Sequence, residues 1–328
     1  MTTSGTVGTT VVNTTQLIEH AVRRCGLSPA SITAETLQIC RENLYLLMLA
    51  LANRGLNLWC VVYDYIGLAA NQATYQLPVG TISLLEMYYA TPSRAMGTDT
   101  VGANSFTTDL GGTDRIIRFG LKFESIPASD TITVEHSPDN LVWTTSAVLT
   151  RTDWTPGAWY WLQAEPAAQG QYFRIVATTG PITVEEFYLA NSVFDLKVAQ
   201  YNRDEYFSLP NRQTPGRPST NYYYERLLRP QVTLWPVPNN NFDHLVTVRH
   251  RQIQDVGALT QELEVPERWR EAIIWQLADR LGFELPGVTP DRVQMIAERM
   301  RETYSDVGME ETDGSSLHLQ PMLRVYTR

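Results

Sequence analysis

Ile116-Ile117-Arg118-Phe119, Thr131-Ile132-Thr133-Val134-Glu135, Tyr172-Phe173-Arg174-Ile175-Val176 and Val184-Glu185-Glu186-Phe187-Tyr188 are the runs that decide how this chain folds. Each is rich in β-branched and aromatic residues, turn-forming stretches separate them, and no helical period joins them. Short runs spaced in this way describe a small antiparallel sandwich over residues of about 99–192. Four of the eight tryptophans fall in it, Trp143, Trp154, Trp159 and Trp161. The Gly-, Thr- and Asp-rich stretch from Met96 to Gly112 reads as its leading boundary.

Outward from this segment the pattern changes. Residues 1–12 read as an arm. A helix starts at Asn13 or Thr14, both good caps, with Leu17, Ile18, Ala21, Val22 and Cys25 on one face and Gly26 at its end. Thr33 caps a second helix that runs to about Arg54, with Leu37, Cys40, Leu44, Leu47, Met48 and Leu51 at helical spacing. The two form an αα-hairpin. Tyr63, Tyr65 and Ile66, then Gln72 to Leu77 and Ile82 to Tyr89, read as strands. On the other flank, residues 222–228 and 231–235 are strand-like, and residues 245–251 alternate. Pro266 opens a helix striped with Trp269, Ile273, Leu277 and Leu281; Thr289-Pro290-Asp291 opens another, faced by Val293, Ile296, Ala297, Met300 and Tyr304. Residues 308–328 read as an extended tail.

Composition narrows the function. A chain of 328 residues is about two domains' worth. Charged residues are 19%, below the usual value of about 25%, which suits either a surface covered by neighbours or a polar uncharged one. Only Lys122 and Lys197 are lysines against 24 arginines. Interfaces favour arginine, and a GC-rich genome gives the same bias. A net charge of -9 argues against a DNA-gripping surface, although an acidic wall would let DNA slide past. No apolar run is long enough to span a bilayer, and the first ten residues lack the features of a signal peptide. Cys25, Cys40 and Cys60, odd in number and without a CxxC, read as small buried apolar residues.

Catalytic motifs fail one by one. There is no GxSxG, GxxxxGK[ST], HExxH or GxGxxG. His244 and His250 share a strand side by parity, but their separation along an extended chain is roughly 20 Å, too far for one metal, and they read as surface or interface residues. No catalytic residue, metal ligand or cofactor is expected.

Two resemblances add to this. Val134-Glu135-His136-Ser137-Pro138-Asp139-Asn140 followed by Trp143, then Tyr172-Phe173-Arg174-Ile175 and the closing Ile182 to Tyr188, resemble a discoidin or galactose-binding-like jelly roll over most of residues 99–192. The flanks resemble the head-to-tail adaptors of short-tailed bacteriophages, the packaged-DNA stabilisation or head-completion proteins. That likeness rests on Leu51 to Trp59, on Tyr201-Asn202-Arg203-Asp204-Glu205-Tyr206 through Pro218, and on Val232 to Pro238, Arg251 to Gly257 and Val265 to Trp269 in order.

The expected fold class is therefore α+β and multidomain, a helical-hairpin core with a small antiparallel sheet, interrupted by an all-β jelly-roll sandwich insert. Residues 1–98 and 193–307 would be the two parts of the core, 99–192 the insert, and 308–328 a docking tail. The adaptor resemblance implies a virion protein at the head–tail junction, made in the bacterial host cytoplasm. It would form a twelve-fold ring under the portal protein, meet the tail nozzle or hub protein, and retain DNA that passes through without specific binding. No membrane partner is implied. Leu317, Leu319, Met322, Leu323, Val325 and Tyr326 are the expected portal-docking anchors of the tail. Glu298, Glu302 and Asp306 are candidate channel-facing acids, and a solvated helix face explains them equally. Trp154, Trp159, Trp161 and Arg174 are candidate glycan or partner contacts of the insert, although Trp159 and Trp161 share a face that equally fits a buried core stripe, the commoner case for Trp; the insert would otherwise meet the capsid, a tail fibre or a neighbouring adaptor. The alternative to the adaptor is thus a glycan- or receptor-binding virion module acting through the sandwich.

Overall fold

The computed structural model describes residues 12–54, 58–217, 221–255 and 257–310. The expected tail anchors, Leu317 to Tyr326, lie outside the described residues. The chain forms two compact units, one of residues 1–60 and 252–328, the other of residues 61–251. The described helices are α1 (Thr14–Arg24), α2 (Ala34–Arg54), α3 (Arg203–Phe207), α4 (Glu267–Glu284) and α5 (Pro290–Glu310).

Helices α1, α2, α4 and α5 build the first unit. Asn13 caps α1 in a reciprocal box: its Oδ1 accepts from the Gln16 N–H at 2.9 Å, and Gln16 Oε1 accepts from the Asn13 N–H at 3.1 Å. The buried face of α1 is the one its spacing predicts, Leu17, Ile18, Ala21 and Val22. Helix α4 packs against α1, α2 and α5. Being central, it buries Ala272, Trp275, Gln276 and Ala278 besides the expected stripe of Trp269, Ile273, Leu277 and Leu281. Cys25, Cys40 and Cys60 form no disulfide among the described residues, and all three sit in this core as expected.

The second unit is almost entirely strand. Its members are β1 (Val61–Gly67), β2 (Thr74–Gln76), β3 (Thr81–Ala95), β4 (Thr98–Val101), β5 (Ser105–Ser125), β6 (Asp130–Ser137), β7 (Thr144–Arg151), β8 (Trp159–Ala177), β9 (Thr183–Lys197), β10 (Ala199–Tyr201), β11 (Asn221–Glu225), β12 (Gln231–Trp235) and β13 (His244–Arg251). A nine-stranded antiparallel sheet runs β1-β13-β3-β9-β5-β8-β6-β7, with β4 paired to β5. A second sheet runs β10-β11-β12-β2, parallel only between β10 and β11. Tyr75, Tyr222, Val232 and Leu234 of the second sheet share a core with Met87, Tyr89 and Leu245 of the first.

This corrects the expected fold class. Strand exceeds helix, 43% against 27%, and one large curled sheet resembling a β-sandwich replaces a helical-hairpin core with an insert. Strand β3, assigned to the core, pairs with β9 from Tyr88↔Lys197 to Ala95↔Leu189, and β9 in turn pairs with β5. The stretch from Met96 to Gly112 is not a boundary but holds β4 and the start of β5. Its Gly and Thr residues signal turns locally, yet pairing with β8 at Phe106↔Ile175 holds them extended. His244 and His250 are buried rather than at the surface, because β13 lies between β1 and β3.

Candidate functional site

The large sheet curls until β1 meets β8, although the two strands are not hydrogen-bonded neighbours. Gly67 makes the approach possible: a Cβ there would stand 2.6 Å from Trp159 Cβ. The Tyr65 hydroxyl reaches across this seam and donates to Gln163 Oε1 at 2.8 Å. A cleft of about 710 Å³ opens over the seam, lined by Tyr63, Tyr65, Tyr88, Arg118, Gln163, Glu165, Asp195 and Val246.

Register explains why these side chains converge. Val246 of β13 stands opposite Tyr65 of β1 on one side and Tyr88 of β3 on the other. Tyr63 shares the face of Tyr65 by strand parity and is 66% exposed. Arg118 of β5 stands opposite Gln163 of β8. Asp195 of β9 then reaches Arg118 and grips it through two bonds of 2.9 Å, a fork-on-fork pair.

Arg118 is 7% exposed and bound on every side. Besides Asp195, it donates to His244 Nε2 at 3.0 Å, approaches Gln163 Oε1 at 3.5 Å, and lies 5.2 Å over the Tyr65 ring. Because Arg118 donates to Nε2, that nitrogen is bare and the imidazole proton sits on Nδ1, which has no hydrogen-bond partner among the described residues. Trp161 stacks on the His244 ring at 4.2 Å. Burial first, then the Arg118 charge, holds the His244 pKa well below its ordinary value, so this histidine is neutral. Burial also raises the Tyr65 hydroxyl. Next along β13's approach, Asp243 accepts from Tyr89 and from Asn240 Nδ2, and burial pushes its carboxyl up to about 6.

Of the candidate glycan contacts, Trp159 and Trp161 stack on each other, and the four do not form one exposed site. Trp154 is 5% exposed, packs on Phe123 and Tyr160, and donates from Nε1 to the Asp130 carbonyl at 3.1 Å. Trp161 is 3% exposed beneath Arg118 and His244. Both are core residues, because a large apolar ring on the inward face of a curled sheet fills the interior rather than meeting solvent. Trp159 is half-buried against Trp161 and lines a second cleft of about 480 Å³ with Tyr75, Lys122 and Asn241. Arg174 pairs with Glu135 at 2.6 Å and lies 4.0 Å over the Trp143 ring on β6 and β8. Glu298, Glu302 and Asp306 occupy one exposed stripe of α5, with Glu302 paired to Arg299 at 2.8 Å.

The cleft residues themselves went unread in the sequence. Two signals were present: Tyr63 and Tyr65 at a two-residue spacing, and Arg118 as the one charge inside Ile116 to Phe119. Among the described residues, no group of three or more His, Cys, Asp or Glu is placed to hold a metal ion.

No family model matches the chain, and neither does any curated protein. Among solved structures, it is similar to CpGH89CBM32-6 produced by Clostridium perfringens, with 15% identity, 30% of this chain and 75% of that one covered, and a TM-score of 0.24. The F5/8 type C domain of a Bacteroides fragilis protein gives 19% identity, covers 31% and 72%, and has a TM-score of 0.24. A glycoside hydrolase gives 20% identity over 28% of this chain with a TM-score of 0.22, and the chain spans only 19% of its length. None of these three is a head-to-tail adaptor. Their TM-scores are too low to bear on what this chain binds.

Proposed function

We propose that the β unit is a non-catalytic binding module that receives a saccharide in the cleft over the β1–β8 seam. The observation that supports this is the lining: three tyrosines beside a fixed Arg118–Asp195 pair, with Gln163 and Glu165 at the rim. Sugars offer flat C–H faces that stack on aromatic rings and adjacent hydroxyls that planar polar groups can bond in pairs. The Gln163 oxygen accepts from Tyr65, and its amide donors have no hydrogen-bond partner among the described residues, so the rim is set before a ligand arrives. Hydrolysis of a glycosidic bond ordinarily uses two carboxyl groups, one of them an acid that can give up a proton. Here Asp195 is committed to Arg118, which leaves Glu165 alone and favours binding over turnover. The test is a glycan array probed with the full-length chain and with Tyr63→Ala. Saturable binding that the substitution removes is the expected result; no bound glycan, or binding indifferent to Tyr63, would overturn the reading.

A second reading, the head-to-tail adaptor, is favoured by one separate observation. The described residues of 12–60 and 252–310 fold together into a helical unit around α4, and residues 311–328 follow α5 in sequence. In this reading the helical unit joins the ring and meets the portal and tail nozzle, with the acidic stripe of α5 toward passing DNA. Electron microscopy of particles made without this gene tests it. Tailless capsids that have lost their DNA are expected; complete, filled, tailed particles would refute it.

A further inference from the structure

The charge of the seam cleft narrows the ligand, on the premise that the ligand is a saccharide. Arg118 brings the one positive charge of the lining and Asp195 balances it through two bonds of 2.9 Å. His244 behind them adds none, since its Nε2 accepts from Arg118. Glu165 is exposed, and no ion pair ties it among the described residues. Farther along the rim, Glu86 is already bound by Lys197 and Tyr88. The lining therefore carries one uncompensated negative charge, that of Glu165.

The rings act in the same direction. Tyr63, Tyr65 and Tyr88 surround the space, and an aromatic face is the negative part of the ring quadrupole. Arg118 covers one face of Tyr65 and Lys197 Nζ lies 6.0 Å from the Tyr88 ring, whereas Tyr63 presents most of its surface to solvent. A cation entering the cleft meets a free carboxylate and the open face of Tyr63, whereas a carboxylated sugar meets repulsion from both.

We propose that the cleft selects a saccharide carrying a free, protonated amine, with Glu165 as its counter-ion and the open Tyr63 ring as the cation-facing wall. The amine would bond Glu165 while the sugar face lies on Tyr63, and the Gln163 amide donates to a neighbouring hydroxyl.

Isothermal titration of the full-length chain with three trisaccharides tests this: a glucosamine trimer, its N-acetylated counterpart and a uronic acid trimer. The glucosamine trimer is expected to bind about tenfold more tightly than the acetylated one and the uronic trimer most weakly. Raising salt from about 50 mM to about 500 mM should narrow the preference. Glu165→Gln should bring the ratio of the first two affinities close to one. Equal affinities, a preference for the acetylated or acidic trimer, or a preference that survives Glu165→Gln would overturn the proposal. If saccharides bind and Tyr63→Ala removes them but no amine preference appears, the cleft remains a saccharide site and only the charge selection falls. If no saccharide binds, both fall.

Discussion

Asp243 and His244 are adjacent in sequence and buried side by side, yet burial moves their proton affinities in opposite directions. The carboxyl is pushed up because its anion loses water, and the imidazole is pushed down because its cation does. The consequence for Asp243 can be signed. Its folded pKa of about 6 lies above the ordinary 3.8, so the native state holds more protons between these values. The stability it contributes is fully present below pH 3.8 and is lost as pH rises through about 6. Wild type should therefore lose stability relative to Asp243→Asn from pH 4 to pH 7, by on the order of 2–3 kcal/mol. Urea denaturation of both proteins across that range measures the difference. A constant gap between them would mean that Asp243 titrates alike in the folded and unfolded states. Arg118 belongs to the same scale: an arginine inside Ile116 to Phe119 was legible as an oddity, but its four partners come from four other strands and could not be read from it.

Elements were legible where the cause is local. Asn13 and Gln16 fix the start of α1 within one turn, and the spacing of Leu17, Ile18, Ala21 and Val22 fixes its face. The runs from Ile116, Thr131, Tyr172 and Val184 are strands because their side chains suit a pleated, buried surface. The approach of β1 to β8 is different in kind. It depends on Gly67 meeting Trp159 across 92 positions of sequence, and nothing near Gly67 announces it. Gly67→Ala would set a Cβ against Trp159 and force the seam apart. A loss of about 1–3 kcal/mol is expected, with a larger loss of binding in the cleft above it. Thermal denaturation and ligand titration of the variant check both. Unchanged affinity in a stable variant would show that the cleft does not depend on the closed seam.

At the scale of the molecule, each unit has its own core. Leu44, Leu47, Ile273 and Leu281 are among the residues filling the helical one, and Phe119, Phe123, Ile132 and Phe173 among those filling the β one. Leu281→Ala removes a fully buried side chain and should cost about 2–5 kcal/mol in the helical unit. The helical circular dichroism signal should melt earlier, while the seam cleft keeps its ligand above that temperature. Simultaneous loss of helix and cleft binding would show that the two cores unfold as one. The same scale explains the error in fold class. Helical hairpins at both ends and β runs in the middle were visible, but the strands between them were divided at residue 98 by turn-rich composition and at residue 192 where the adaptor resemblance resumes. Composition reports where a chain bends, whereas sheet membership is set by which edges pair.

The sequence by itself determined the helices of the two ends, most of the strands and the burial of the three cysteines, because periodicity, caps and side-chain hydrophobicity act over a few residues. It also excluded the familiar catalytic motifs. Only the tertiary structure decided that β3 and β9 join what looked like separate domains, that Trp154 and Trp161 are core, and that Tyr63, Arg118, Gln163, Glu165 and Asp195 share a cleft. Those outcomes depend on register and curl, which arise from pairing between strands far apart in the chain, and no local pattern encodes them.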